Sequence, residues 1–383
     1  MMNESIPVLK NHKRFHMIKN TLFIILLIVN ILPGSLVAQH LAAFSDIQNH
    51  FYVFDAGKTE QLENLKIQSY KVGGNHLAYI DNAGGLKVYY NGEVYELDNA
   101  GAGMRYYATD YLLGYKYLDF LKVFDRGKIK ILCTAVEGYV VQDSLITWYD
   151  RISRTVNIYY KGKTETLEDG LLDFPFERLK SGDNTLAYVT TVDNKFKVFW
   201  AGDIWVIDEF GEYITYKTGK NIVAYMDEPR NIFKVFYKGE VFELEYYRPQ
   251  AFEVGDDMVV YVDDMGNLKS FNKGITTTLL PNRPEHFEVN DEAMIFIDQG
   301  YFKTHCNGTV QIIERYVPDK YVLDWNSISY IDDNQNVQVV QNCEKHVVTY
   351  ELVTDLEMNR NLIMYKTGPN TTRIYYFGQV FEE

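Results

Sequence analysis

From residue 40 onward, short apolar runs alternate with polar, glycine-bearing breaks. The clearest stretch reads Phe252-Glu-Val-Gly-Asp-Asp-Met258-Val-Val-Tyr261-Val-Asp263, then Leu268-Lys-Ser-Phe271-Asn-Lys-Gly274, then a short segment to Leu280. Runs this short, rich in β-branched and aromatic residues, have strand length rather than helix length. Four strands are therefore predicted per stretch. Strand a carries Phe252 and Val254, b runs Met258 to Val262, c runs Leu268 to Phe271, and d follows. Asn91-Gly92 and Asn307-Gly308 mark two-residue c–d hairpins, because both central residues must take positive φ.

The stretch repeats about every 35 residues. A central aromatic recurs as Phe44, Tyr79, Tyr115, Tyr149, Tyr188, Tyr225, Tyr261, Phe296, Tyr330 and Tyr365. A turn glycine recurs in step from Gly57 to Gly378, with Cys343 as the one substitute. Two anchors advancing together ten times define ten units, so an internal repeat sets the fold.

Strand c decides the architecture. Val88-Tyr89, Val123-Phe124, Val198-Phe199 and Val235-Phe236 place apolar side chains on both faces of the sheet, since adjacent strand residues point to opposite faces. Such a sheet must be covered twice. Blades stacked face to face around an axis achieve this, so the expected fold is an all-β β-propeller of ten four-stranded blades, residues 39–383. Two five-bladed rings split near residue 212 are the alternative. The first unit lacks its own strand a. Strand d is acidic (Glu93, Glu96, Glu165, Glu168, Glu240, Glu243, Glu245), as an exposed edge should be to resist pairing with other chains.

Residues 1–38 read differently. Basic residues through Lys19 precede an apolar run from Leu22 to Leu32, which Asn30 and Pro33 keep from membrane-spanning length. This is the layout of a secretory signal peptide, with cleavage expected near Ala38 and Met17 an alternative start. Its removal takes four basic and one acidic residue, moving the net charge from −14 to −17. That charge repels nucleic acid, which is excluded as a partner. Three cysteines are too few for a disulfide scaffold. Cys306 and Cys343 belong to neighbouring repeats at different registers, so three buried thiols are the favoured reading and a Cys306–Cys343 pairing stays open as the alternative.

The succession of strand a, Gly-Asp-Asn (182–184), Ala-Tyr-Ile-Asp (78–81) and Lys-Val-Phe-Tyr-Lys-Gly (234–239) resembles the TolB-type WD40-like repeats of periplasmic propellers. An exported acidic propeller of this size also resembles the periplasmic plug subunit of the type nine secretion translocon. The resemblance implies a protein partner, an outer-membrane protein or secretion channel, reached from the periplasm.

No catalytic, cofactor or metal set emerges, and no enzyme activity is expected. The aspartates that end strand b (Asp46, Asp81, Asp150, Asp227, Asp263, Asp298, Asp332) recur too often for catalysis and suit turn initiation instead. The histidines lack zinc-ligand spacing. Aromatic richness leaves carbohydrate binding as the second reading. Two interface candidates remain. Trp325 stands in an a–b turn and Phe377 in the next unit's c–d turn, on one face; Leu171, Leu172, Phe174 and Phe176 form an apolar d–a connection on the other. Trp148, Trp200 and Trp205 are read as core.

Overall fold

The computed structural model describes residues 40–99, 104–171, 174–209, 214–368 and 371–383. The expected signal peptide, residues 1–38, lies outside them. Among the described residues thirty-nine strands form ten antiparallel meanders: a three-stranded first blade and nine of four strands. Among the described residues no helix is long and apolar enough to cross a membrane.

One ring contains all ten. Ala187 and Val198 of the fifth blade share a core with Ile214, Val223 and Tyr225 of the sixth, across the point where two rings would divide. The tenth blade packs on the first through Leu362, Met364 and Ile374 against Ala42, Phe44 and Phe54. The first blade has no strand a among the described residues, so closure is by face-to-face packing rather than by a shared sheet. All ten c–d hairpins have the expected left-handed pair, from Ala56-Gly57 to Phe377-Gly378.

The strand ladders correct one anchor. Tyr79, Tyr188, Tyr225 and Tyr261 of strand b lie opposite Lys87, Lys197, Lys234 and Lys269 of strand c. In the fourth blade Trp148, not Tyr149, holds that register, opposite Asn157. Trp148 is fully buried. Trp205, read as core, is 38% exposed on strand d beside Phe236.

Between blades, the same positions make a polar clasp. Strand d bulges near its end and turns one carboxylate toward the next blade. Glu63 accepts from Tyr79 Oη at 3.1 Å and pairs with Lys87 Nζ at 2.7 Å. Glu168 does so with Tyr188 and Lys197 (3.0 and 2.7 Å), and Glu245 with Tyr261 and Lys269 (3.0 and 2.7 Å). Glu314 binds Tyr330 at 2.7 Å and pairs with Lys345, since Gln338 replaces the lysine. Glu168 and Glu245 are thus not edge guards; Glu93, Glu96, Glu165, Glu240 and Glu243 remain exposed in that role.

At two seams the parts of the clasp change together. Cys133 stands in the carboxylate's place before the fourth blade, facing a core with Trp148. Leu280 stands there before the eighth, packed with Phe296. At these two seams the phenol and the carboxylate are lost together, so neither strands a buried polar partner; at the ninth–tenth seam Tyr365 keeps its phenol with no carboxylate hydrogen bond.

Cys306 and Cys343 are joined in a disulfide, the less favoured of the two readings of the sequence. The register difference permits it: Cys306 ends strand c of the eighth blade, and Cys343, at φ 68°, occupies the ninth blade's c–d turn, leaving their Cα atoms 5.6 Å apart. Cys133 is buried and free.

Two outcomes follow for stability. Glu245→Ala should cost about 2–3 kcal/mol, the scale of a lost hydrogen bond to a charge; a double-mutant cycle with Tyr261→Phe should show coupling, and additivity would refute the clasp. Reducing the disulfide, which closes 37 residues of sequence, should cost about 4 kcal/mol on a chain-entropy basis, read as a lowered urea midpoint with unchanged far-UV circular dichroism.

Candidate functional site at the a–b mouth

The a–b turns of successive blades meet at one end of the ring. Their residues bond from blade to blade: Asn75 N to Asp110 O (3.1 Å), Ser144 N to Asp183 O (2.9 Å), Asp257 N to Lys220 O (3.0 Å), Asp256 N to Asp291 O (2.7 Å) and Glu292 N to Trp325 O (2.8 Å). Side chains fill the gaps. Asp110 N donates to Asp143 Oδ1 (2.8 Å), Asn221 N to Asn184 Oδ1 (2.8 Å) and Arg360 N to Asp324 Oδ2 (2.6 Å). Asn359 Nδ2 donates to the carbonyls of Leu41 and Gly73, closing the girdle over the seam.

This explains the glycine of the Gly-Asp turn. A Cβ on Gly255 would stand 2.3 Å from Asp291 O, and one on Gly219 2.0 Å from Gly255 O. The next turn's backbone already occupies that space.

The first residue of each two-residue loop projects at the mouth, and five blades place aspartate there: Asp110, Asp143, Asp183, Asp256 and Asp291, with Asp324 adjoining. Lys220 and Arg360 take the same loop position in the sixth and tenth blades. Lys220 Nζ lies 3.0 Å from Asp256 and 4.0 Å from Asp183, and Arg360 Nη2 lies 2.5 Å from Asp110. Burial, reinforced by neighbouring carboxylates, pushes Asp143 up to about 9 and Asp183 and Asp324 up to about 7; burial also raises Asp256. Oxygens of Asp183, Asp256 and Asp291 lie within 4.8 Å of one another, a donor set suited in type to a hard cation. Lys220 supplies positive charge at that point.

Trp325 and Phe377 come together here. His40 lies between them, its ring centroid 6.4 Å from Trp325 and 5.4 Å from Phe377, and Tyr376 stacks edgewise on Phe377 at 4.6 Å. Phe377 is 66% exposed, held outward by its left-handed turn position. The Arg360 guanidinium lies 5.6 Å from the Trp325 ring and 5.9 Å from that of Tyr111.

The other candidate dissolves. Leu171 and Phe174 are buried in the core between the fourth and fifth blades, and Phe176 packs on it across Gly138. The apolar side chains among the insertion's described residues pack on the blades instead of facing solvent. Leu172 lies outside the described residues. His286 sits beside Glu288 and His346 beside Glu344. The strand-b aspartates take turn amides: Asp46 from Gln48 and His50, Asp81 from Gly85, Asp263 from Asn267 and Asp332 from Asn334 and Asn336.

Sequence reasoning missed the mouth carboxylates. Their signal is a recurrent Asp directly after the a–b turn glycine or its substitute, which the repeat pattern absorbed.

The opposite end carries what was also missed. The tips of five b–c turns present Ile47, Leu118, Ile152, Val192 and Met265, each 67–82% exposed.

These features define a β-propeller with an acidic mouth and an apolar rim. The chain belongs to the 10-bladed beta propeller domain family, whose model matches residues 35–381. No curated protein matches. Among solved structures, the chain is similar to the computationally designed Ika8 protein at 15% identity, covering 88% of this chain and all of that one, with a TM-score of 0.34. It is similar to Kluyveromyces lactis Hsv2p at 13% identity (65% and 97% covered, TM-score 0.31) and to the tricorn protease at 13% (90% and 44% covered, TM-score 0.24).

A pH dependence follows. Each raised aspartate binds its proton more tightly folded than unfolded, where it titrates near 3.9. These groups therefore favour folding less as pH climbs from about 4 to about 9. The thermal unfolding midpoint at pH 5.5 should lie above that at pH 9. Asp143→Asn should flatten this difference and raise the pH 9 midpoint by about 2 °C or more; an unchanged profile would contradict the assignment.

Proposed function

We propose that this chain is an exported, non-enzymatic propeller that docks on a partner protein at the periplasmic side of the outer membrane. A propeller fold is compatible with protein–protein interaction. The observation that carries the reading is the apolar rim. Five bulky aliphatic side chains project from b–c turns of a chain of net charge −14, and d–a connections add exposed Tyr246, Tyr247 and Tyr350. Single exposed aliphatics need no explanation, but five at b–c tips of one end, three of them on consecutive blades (Leu118, Ile152 and Val192), concentrate apolar surface there. The disulfide supports an oxidising compartment. A membrane-embedded partner of the envelope fits a surface that is apolar at its tips and ringed by polar turns, and a secretion channel that the propeller plugs or assists is the finer reading.

Carbohydrate binding is the second reading, favoured by exposed Tyr111 beside Asp110 and Arg360 at the mouth. The two readings use opposite ends. In pull-downs from detergent-solubilised envelope, wild type should retain a membrane protein, and the triple variant Ile152→Asp, Val192→Asp, Met265→Asp should lose it at least tenfold with its melting temperature nearly unchanged. Equal retention by the variant would refute docking through the rim. Retention of envelope polysaccharide, abolished by Tyr111→Ala, would favour the second reading.

A further inference from the structure

Strand d is the outer edge of every blade, and the third blade's differs from the rest. Lys128–Cys133 reads Lys-Ile-Lys-Ile-Leu-Cys and is charged by cations only. Every other strand d carries an aspartate or glutamate, except the uncharged Ile275–Leu280. Lys128 lies opposite Asp125 across the turn Arg126-Gly127, and Ile129 lies opposite Phe124. In a two-residue hairpin the pair beside the turn exchanges both backbone hydrogen bonds and the next pair exchanges none. The amide and carbonyl of Ile129, and by the same alternation those of Ile131, therefore point away from the blade, where no further strand of the sheet stands. Their side chains are 46% and 60% exposed.

The strand's other face is cationic. Lys128 and Lys130 alternate with the isoleucines, and Lys130 Nζ reaches the fourth blade's c–d turn, donating to Gly162 O at 3.0 Å above the Tyr159 ring. Lys161 and Lys163 flank that glycine, Arg126 stands in the third blade's own turn, and all five cations are exposed. Among the described residues none of the four lysines pairs with a carboxylate, and Arg126 meets Asp125 at 3.3 Å. The repeat does not ask for a cation here. Tyr95, Trp205 and Phe242 hold the position of Lys130 in other blades and pack on the next blade's Phe124, Phe236 and Phe271. In a chain of net charge −14, this stretch of wall reverses the local field.

We propose that this edge binds an extended acidic segment of another protein, which adds a strand beside Lys128–Ile131. Open backbone groups in strand register recognise a polypeptide. The two faces set its pattern, because side chains of an added strand alternate. Carboxylates on one face meet Lys128 and Lys130, and apolar side chains on the other meet Ile129 and Ile131. The chain's own acidic edges do not fit, since Glu93 and Glu96, like Glu240 and Glu243, fall on opposite faces of their strands. The occupant is therefore a different protein and not a second copy. The site lies on the outer wall and does not rest on rim docking.

The test titrates the full chain into a fluorescein-labelled peptide of alternating glutamate and valine, with a peptide of equal composition in blocked order as control, read by anisotropy. The alternating peptide should bind about tenfold tighter than the blocked one, and added salt should weaken it. Ile129→Pro removes an N–H that the blade does not use, a change an edge strand tolerates; it should weaken binding about tenfold with the melting temperature nearly unchanged. Lys128→Glu with Lys161→Asn should weaken it to a similar extent. In wild type the Ile129 and Ile131 amides should exchange freely without peptide and slowly with it, which reads the edge even if the proline variant is unstable. Equal binding of the two peptides, unslowed exchange, or full binding by a folded Ile129→Pro variant would overturn the proposal. Capture of phosphatidylglycerol vesicles with no preference between the peptides would assign the patch to anionic lipid and overturn it, as would dimers in sedimentation that Ile129→Pro dissociates.

Discussion

Each blade is apolar on both faces and cannot exist alone, so everything in this molecule follows from how one blade is joined to the next. Apolar packing supplies most of the attraction, but it does not fix register. The clasp does. A carboxylate at the end of one blade's strand d meets a phenol on strand b and an ammonium on strand c of the next, and each of the three satisfies groups that burial would otherwise strand. At Cys133 with Trp148 and at Leu280 with Phe296 both parts are replaced by apolar packing, whereas Tyr365 keeps its phenol without a carboxylate hydrogen bond.

The same logic governs the two ends of the ring. At the a–b mouth, backbone groups of adjacent turns bond to one another, and glycine is required because the neighbour's carbonyl lies where a side chain would begin. The aspartates gathered there are partly structural acceptors and partly a concentration of charge. At the b–c end several turns fold on their own strand-b aspartate, and ties between blades run through single residues such as Asp119, which accepts from Val136 N (2.9 Å) and pairs with Arg151 (3.3 Å). Their tips are free to carry side chains that folding does not need, and five carry exposed aliphatics. Exposed tips of this kind are where a partner surface can vary.

Much of this was legible in the sequence. Two anchors in step gave ten units, and doubly apolar strand c demanded stacking. Tyr149 was mistaken for an anchor because Trp148 and Tyr149 are adjacent aromatics, and only the ladder opposite Asn157 separates them. Trp325 and Phe377 were found because each breaks its turn's composition, whereas His40 between them carried no such signal. The phenylalanines of the d–a insertion misled because apolar composition does not say which way a connection folds. The disulfide was underrated because one cysteine ends a strand and the other sits in a turn, and their proximity arises only when two blades stack.

Site-specific photocrosslinking in cells would test the docking account most directly, with the photoreactive residue at Val192 on the rim or at Asn326 in the mouth. The account predicts a discrete crosslink to an envelope membrane protein from Val192 and none from Asn326. A crosslink from Asn326 alone would place the partner at the acidic mouth and contradict it.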